Sequence, residues 1–153
     1  MTSRLAPCTV EVCDVAAAAP SDVWAIIADP RTYANWVAGT ATSRGETGDW
    51  PAVGSSLRHR WGVWPARFRD RSTVTACQHQ RQLELDVRVG RLAAVAVTIR
   101  LAPDAFGTRI VLRESVVTGA ALLFRPLTRR FQLWRNRRSL AALVRMSVTG
   151  APR

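Results

Sequence analysis

Hydrophobic and polar residues alternate over most of the chain, and this period of two predicts a largely antiparallel sheet. Residues 9–15 alternate well enough for an opening strand, and residues 40–118 contain about six more strands separated by short turn signals. The alternation is cleanest in residues 83–89 and 108–116, where one side of each strand is mainly apolar. Each strand therefore has one face to bury.

Two regions follow a helical period instead. Residues 20–27 begin with Pro20, which fits a first helical turn, and Asp29-Pro30 interrupts this short helix before one or two further turns over residues 31–36. A long helix is predicted from Pro126 to about Val148, and the glycine and proline of residues 150–152 end it. Its expected apolar side consists of Leu133, Leu140 and Val144, adjoined by Trp134, Ala141 and Val148, with Arg137 inside the stripe and Asn136 at its edge.

A sheet that buries one face needs a cover, and the C-terminal helix is the expected cover. The chain has 153 residues, of which 48% are hydrophobic and 22% charged, which fits one domain over residues 1–153 with an ordered core at about 8–148. No apolar run approaches the roughly 20 residues of a membrane helix, so no membrane insertion is expected.

The net charge of +11 is unevenly distributed. Residues 1–114 carry +3, whereas residues 115–153 carry eight arginines, no acid and therefore +8. The plain interpretation is a solvated outer helix face, and the alternative is an Arg-rich helix that binds an anionic surface. No nucleic-acid partner is expected, and either a monomer or a homodimer fits.

The three cysteines show no metal-ligand spacing and no CxxC pair. Reduced thiols in a cytoplasmic protein are the simple expectation. With only two histidines as well, neither a metal nor another cofactor is expected.

Several short stretches, taken in order and spacing, resemble one family. They are residues 19–24, 28–30, 33–36 and 50–55, the hairpin over 59–74, residues 108–114, and Arg135-Asn136. Together they resemble the START-like or SRPBCC superfamily, in its bacterial polyketide cyclase/dehydrase branch, over roughly residues 8–148. The resemblance implies an α+β helix-grip fold, in which a curved antiparallel sheet of six or seven strands wraps around the long C-terminal helix, with two short helices after the first strand.

The resemblance also implies an apolar cavity between sheet and helix. The partner expected there is a hydrophobic small molecule, for which aromatic and polyketide-like compounds are candidates. The protein either cyclises and dehydrates this molecule or is a carrier or sensor of a lipid or other hydrophobic ligand without turnover. The family includes both kinds of protein, so enzyme activity stays open.

The hairpin over residues 57–74 supplies the first candidates for chemistry. A turn centred between Val63 and Ala66 places His59 opposite Asp70 and Trp61 opposite Phe68. A carboxylate beside an imidazole fixes its tautomer and raises its pKa, as a general acid/base requires. The alternative is that Asp70 only satisfies a buried histidine.

Glu114 shares the inward face of its strand with Leu112 and is the third catalytic candidate. In an apolar cavity it is a proton donor; alternatively it pairs with an arginine and is structural. Asn136 and Arg137 are candidates for binding an oxygen of the ligand, although Arg137 also has the length to reach solvent. The remaining candidate ligand-binding residues are aromatic walls at Trp36, Trp61, Trp64, Phe68 and Trp134, with Leu112 beside them.

Overall fold

The computed structural model describes residues 7–63, 65–90 and 92–150. A first strand is followed by two short helices, six strands, a short 3-10 helix and one long helix. The bounds are β1 Cys8–Ala16, α1 Pro20–Ile27, α2 Tyr33–Trp36, β2 Thr40–Thr47, β3 Ser56–Val63, β4 Ala66–Gln78, β5 Gln82–Val89, β6 Ala93–Asp104, β7 Gly107–Gly119, the 3-10 helix Ala120–Phe124 and α3 Arg125–Thr149. This order confirms the predicted α+β arrangement. None of the described helices combines the length and apolar character needed to cross a bilayer.

The seven strands form one curved antiparallel sheet in the order β1-β7-β6-β5-β4-β3-β2. Strands β2 to β7 follow one another as a meander, because each pairs with its neighbour in sequence. Strand β1 closes the other edge by pairing with β7, with Val12 opposite Leu112. The inner face of this sheet and helix α3 enclose the hydrophobic core.

The inward faces of β5 and β7 are those predicted from the alternation. Leu83 and Leu85 of β5 are buried, as are Ile110 and Leu112 of β7. Each large apolar side chain removed from water contributes roughly 1.5 to 3 kcal/mol. Because the strand period is two, this burial also fixes the orientation of the polar side chains between the apolar ones.

The inward face of α3 differs from the predicted one. Trp134 and Val148 are more than half exposed, and Leu133 and Val144 are only partly buried. The side chains buried on this helix are Gln132, Asn136, Ser139, Leu140, Leu143, Met146 and Ser147. Four of these seven are polar, so the most hydrophobic row of the sequence is not the row that faces the sheet.

Candidate functional site

A cavity lies between the inner face of the sheet and helices α2 and α3. Its volume is about 50 Å3, enough for a few water molecules and well below the roughly 300 to 1,000 Å3 of typical ligand pockets. Its walls combine apolar strand residues with a group of polar side chains. The lining residues are Tyr33, Trp36, Val37, Thr40, His59, Trp61, Asp70, Leu85, Val87, Val89, Val95, Val97, Ile99, Leu112, Glu114, Arg135, Asn136 and Ser139.

The β3–β4 hairpin brings His59 and Asp70 together in this cavity. Its register pairs His59 with Asp70 and Trp61 with Phe68, as the turn position predicts. The side chains of His59 and Asp70 are each only 4% exposed. His59 Nε2 lies 3.7 Å from Asp70 Oδ2, which is beyond hydrogen-bond distance. The two groups are therefore neighbours without a direct hydrogen bond.

Unpartnered polar atoms are concentrated around the cavity. Among the described residues, eight buried polar side-chain atoms have no hydrogen-bond partner, and all except Gln132 Oε1 belong to lining residues. The seven are Trp36 Nε1, Thr40 Oγ1, His59 Nδ1, Trp61 Nε1, Asp70 Oδ1, Arg135 Nε and Asn136 Nδ2. Four of them, on Trp36, Trp61, Arg135 and Asn136, are N–H groups that only donate. The cavity thus suits an apolar molecule that carries oxygen acceptors.

Burial moves the two titratable groups of the hairpin in opposite directions. Desolvation, assisted by the positive charge of Arg135, lowers the pKa of His59 to about 4. The expectation that Asp70 would raise the pKa of His59 is therefore wrong. Desolvation raises the pKa of Asp70 to about 6, although Arg135 opposes this change. At neutral pH the imidazole is neutral, and Asp70 is the group poised to accept a proton.

The two groups predict opposite effects of pH on stability. The pKa of Asp70 is raised in the folded state. Its stabilising contribution to the free energy of unfolding is therefore present below about pH 4 and is lost as the pH rises through 6. The pKa of His59 is lowered in the folded state. Its stabilising contribution to the free energy of unfolding is therefore present above pH 6.5 and is lost as the pH falls through 4. In the parent protein the two effects largely cancel between pH 4 and 6.5.

Single substitutions should expose each effect. From pH 7 to pH 4, we expect His59→Leu to gain about 2 kcal/mol and Asp70→Asn to lose about 2 kcal/mol of unfolding free energy, each relative to the parent. These values are below the full effect of the shifts because solvent screening reduces it. Urea unfolding at four pH values measures both slopes. Slopes of the same sign would contradict this assignment.

Glu114 forms an ion pair with Arg135 and does not stand alone in the cavity. Its carboxylate accepts hydrogen bonds from Arg135 Nη2 and from Gln132 Nε2, the latter at 3.2 Å. Its side chain is 5% exposed and that of Arg135 is 20% exposed. Of the two readings that the sequence leaves open, the arginine pair is the one observed. We therefore assign Glu114 a structural role and not that of a proton donor.

Tyr33 belongs to the site although the sequence analysis assigned it no role. Its ring centroid lies 5.2 Å from that of His59, and its hydroxyl lies 3.4 Å from Ser72 Oγ. Burial raises the pKa of Tyr33. Thr40, Arg135 and Ser139 also line the cavity, and the sequence analysis gives them no role in the site. The Arg135-Asn136 pair, which contributes to the family resemblance, is the feature of the sequence that points to Arg135.

Most of the predicted ligand-binding residues lie at the cavity or next to it. Trp36, Trp61, Leu112 and Asn136 line it. Gly39 makes room for Trp61, since a Cβ atom at this position, where φ is +87°, would lie 2.6 Å from Trp61 Nε1. Phe68 packs against Trp61 with ring centroids 5.9 Å apart but does not line the cavity. Trp64 lies outside the described residues.

Two predicted ligand-binding residues point away from the cavity. Trp134 is 53% exposed and lies under the guanidinium of Arg138 at 5.3 Å. Arg137 is exposed and lines a different surface depression together with Glu11 and Asp14 of β1. Both follow from the helical period, because Arg137 is turned by about 100° and Trp134 by about 200° from the inward-facing Asn136.

A larger depression lies on the outer face of the sheet. It has a volume of about 330 Å3 and is lined by four arginines together with Thr42, Ser43 and His59. The arginines are Arg44, Arg58, Arg60 and Arg69. Arg58 is bound by Glu46, and the cavity side chains are on the opposite face of the sheet. We therefore assign the candidate site to the inner cavity.

Comparison with known proteins agrees with this architecture. The model of a family described as polyketide cyclase/dehydrase and lipid transport matches residues 7–147. No curated protein matches the sequence.

Solved structures show the same fold at low sequence identity. Protein CV1439 from Chromobacterium violaceum is 16% identical, with a TM-score of 0.72 over 91% of this chain and 96% of its own. The crystal structure of Ara h 8.0201 is 9% identical, with a TM-score of 0.77 over 95% of this chain and 100% of its own. The di-domain ARO/CYC StfQ, from the steffimycin biosynthetic pathway, is 12% identical with a TM-score of 0.75, covering 92% of this chain and 50% of its own.

Proposed function

Because the chain belongs to the polyketide cyclase/dehydrase and lipid transport family, we propose that it binds a hydrophobic small molecule in the cavity between its sheet and helix α3. The observation that carries the proposal is the pairing of apolar walls with unpartnered N–H donors. Such a lining favours a flat or aromatic molecule that carries carbonyl or phenolic oxygens. A saturated hydrocarbon would leave the donors without partners.

The cavity of about 50 Å3 must widen to accept a ligand of this kind. The side chains of α3 that face it are polar, namely Asn136, Ser139 and Arg135. Moving Asn136 and Ser139 away from the sheet exposes little apolar surface, so the free-energy cost of widening is low as long as Arg135 keeps its ion pair with Glu114. Movement of this part of α3 is the route to a larger cavity.

Binding of 1-anilinonaphthalene-8-sulfonate tests the proposal. We expect saturable binding of one molecule per chain, weakened about tenfold or more by Val97→Phe, because the larger side chain occupies the cavity. The control is Val117→Phe, at an exposed position of β7 outside the cavity lining. Thermal unfolding of both variants checks that they fold. Equal binding by the two variants would refute the cavity as the site.

A second candidate function is catalysis of an aldol-type cyclisation and dehydration. The observation that favours it is the buried Asp70, whose pKa of about 6 leaves it ionised at neutral pH beside the cavity. Its carboxylate would remove a proton from a carbon between two carbonyls. The enolate carbon forms a bond to another carbonyl carbon of the same molecule, and the protonated Asp70 returns its proton to the alkoxide oxygen. The carboxylate then removes the second proton of the same carbon, and the hydroxyl leaves with that proton as water.

The other residues have supporting roles in this candidate reaction. Arg135 Nε and Asn136 Nδ2 would donate hydrogen bonds to the enolate oxygen, and neutral His59, whose Nδ1 also has no partner, would contact the substrate. A carrier without turnover needs the same cavity but not the carboxylate. Substitution of Asp70 therefore separates the two candidates.

A further inference from the structure

Exposed hydrophobic side chains cluster at the beginning of α3 and in the 3-10 helix before it. Leu127 is 70% exposed and Trp134 is 53% exposed. We define the docking patch as Leu123, Phe124, Leu127, Phe131 and Trp134, all of which are exposed. Single exposed apolar residues are ordinary, but a group of five in twelve residues marks an interaction surface.

The helical members of the docking patch form one continuous stripe. Leu127, Phe131 and Trp134 are spaced by four and three residues, so they lie on the same side of α3. The rings of Phe131 and Trp134 are in contact, with centroids 6.0 Å apart. The stripe faces away from the inward row of Gln132 and Asn136.

Positive charge surrounds the docking patch. The guanidinium of Arg138 lies 5.3 Å from the ring centroid of Trp134, and exposed Arg130 is three residues from Leu127. Residues 115–153 contain no acidic residue. An apolar stripe with aromatic residues and flanking arginines is the composition of helices that lie in the interface of an anionic bilayer.

We propose that the docking patch binds peripherally to the surface of an anionic lipid membrane. A second copy of the chain is a poorer occupant, since a two-fold contact through this patch would bring the arginines of both copies close together and α3 offers no acid to pair with them. Nucleic acid would satisfy the arginines but not the aliphatic Leu123 and Leu127. An anionic bilayer satisfies both the charge and the apolar side chains.

The docking patch adjoins the cavity. Phe131 contacts Trp61, a lining residue, with ring centroids 5.7 Å apart. Docking would therefore place the Trp61–Phe131 contact, and with it one wall of the cavity, next to the bilayer. A hydrophobic ligand is concentrated in that bilayer. This last step rests on the proposed ligand-binding function, whereas docking itself does not.

Sedimentation with lipid vesicles tests the inference on the whole chain. We expect binding to phosphatidylcholine vesicles that contain about one-third phosphatidylglycerol, little binding to pure phosphatidylcholine, and release by high salt. Leu127→Glu should weaken binding about tenfold or more, and Arg130→Gln about fivefold. Phe106→Glu is the matched control, because Phe106 is 81% exposed in the β6–β7 turn.

The outcomes separate the alternatives. Absence of binding to the anionic vesicles, equal binding to neutral ones, or equal loss in the Phe106 control would each overturn the inference. A dimer that Leu127→Glu dissociates, measured by sedimentation velocity without lipid, would identify a second copy as the occupant instead. Leu127→Glu should leave anilinonaphthalene sulfonate binding intact, so failure of docking is distinguishable from failure of the ligand-binding proposal.

Discussion

Replacing Asp70 by asparagine is expected to slow proton exchange in a β-diketone substrate about a hundredfold. The assay uses 1-phenylbutane-1,3-dione in D2O and follows loss of the methylene proton signal by NMR. The parent protein should accelerate exchange above the buffer rate, because a desolvated carboxylate removes this proton and the cavity donors stabilise the enolate oxygen. Asp22→Asn, an exposed position of α1, is the control.

The pH profile distinguishes a base from a merely structural residue. Because the pKa of Asp70 is about 6, the protein-dependent rate should rise with pH and reach half its maximum near pH 6. The residual rate of Asp70→Asn should lack this step. If the parent protein gives no exchange while it still binds the aromatic probe, the cyclisation proposal fails and the carrier remains.

Replacing Arg135 by methionine is expected to lower the free energy of unfolding by about 3 kcal/mol. The substitution keeps much of the side-chain volume but leaves the buried carboxylate of Glu114 without its charged partner. For a chain of this size, the loss corresponds to a decrease in Tm of about 6 to 12 °C. Thermal unfolding followed by circular dichroism measures it.

Two further variants identify the cause of this loss. Arg145→Met removes an exposed arginine from the same helix and should change stability by no more than about 0.5 kcal/mol. Adding Glu114→Gln to Arg135→Met should restore part of the stability, because the uncompensated charge is removed. Equal effects of Arg135→Met and Arg145→Met on the free energy of unfolding would show that the Arg135–Glu114 ion pair does not stabilise the fold.

The sheet is predictable because, with a side-chain period of two, the apolar positions of a strand determine which of its faces turns inward. Burial of Leu57 and Val74 fixes which faces of β3 and β4 turn inward, and a short turn then fixes the register that pairs His59 with Asp70. The inward position of Glu114 follows from Ile110 and Leu112 in the same way. These placements depend on local spacing, which the sequence contains.

The remaining features depend on contacts between distant segments. The inward row of α3 is decided by what the sheet presents to it, and that includes Glu114, which binds Arg135 and Gln132. Hydrophobicity alone therefore favours Trp134 as an inward residue, whereas Arg135 is the one that lines the cavity. The sign of the pKa change at His59 likewise depends on how completely the surrounding residues exclude water, and desolvation is the dominant cause.

The buried residues of α3 also differ between its two halves. Its later turns are held by Leu140, Leu143 and Met146, whereas the earlier inward positions are Gln132, Asn136 and Ser139. The later half is consequently fixed by apolar packing, whereas the half beside the cavity is fixed by the Arg135–Glu114 ion pair and by the hydrogen bond from Gln132 to Glu114. An outward shift of Asn136 and Ser139 that keeps this ion pair would enlarge the cavity for a bulky ligand, while Leu140, Leu143 and Met146 stay packed and the rest of the chain stays folded.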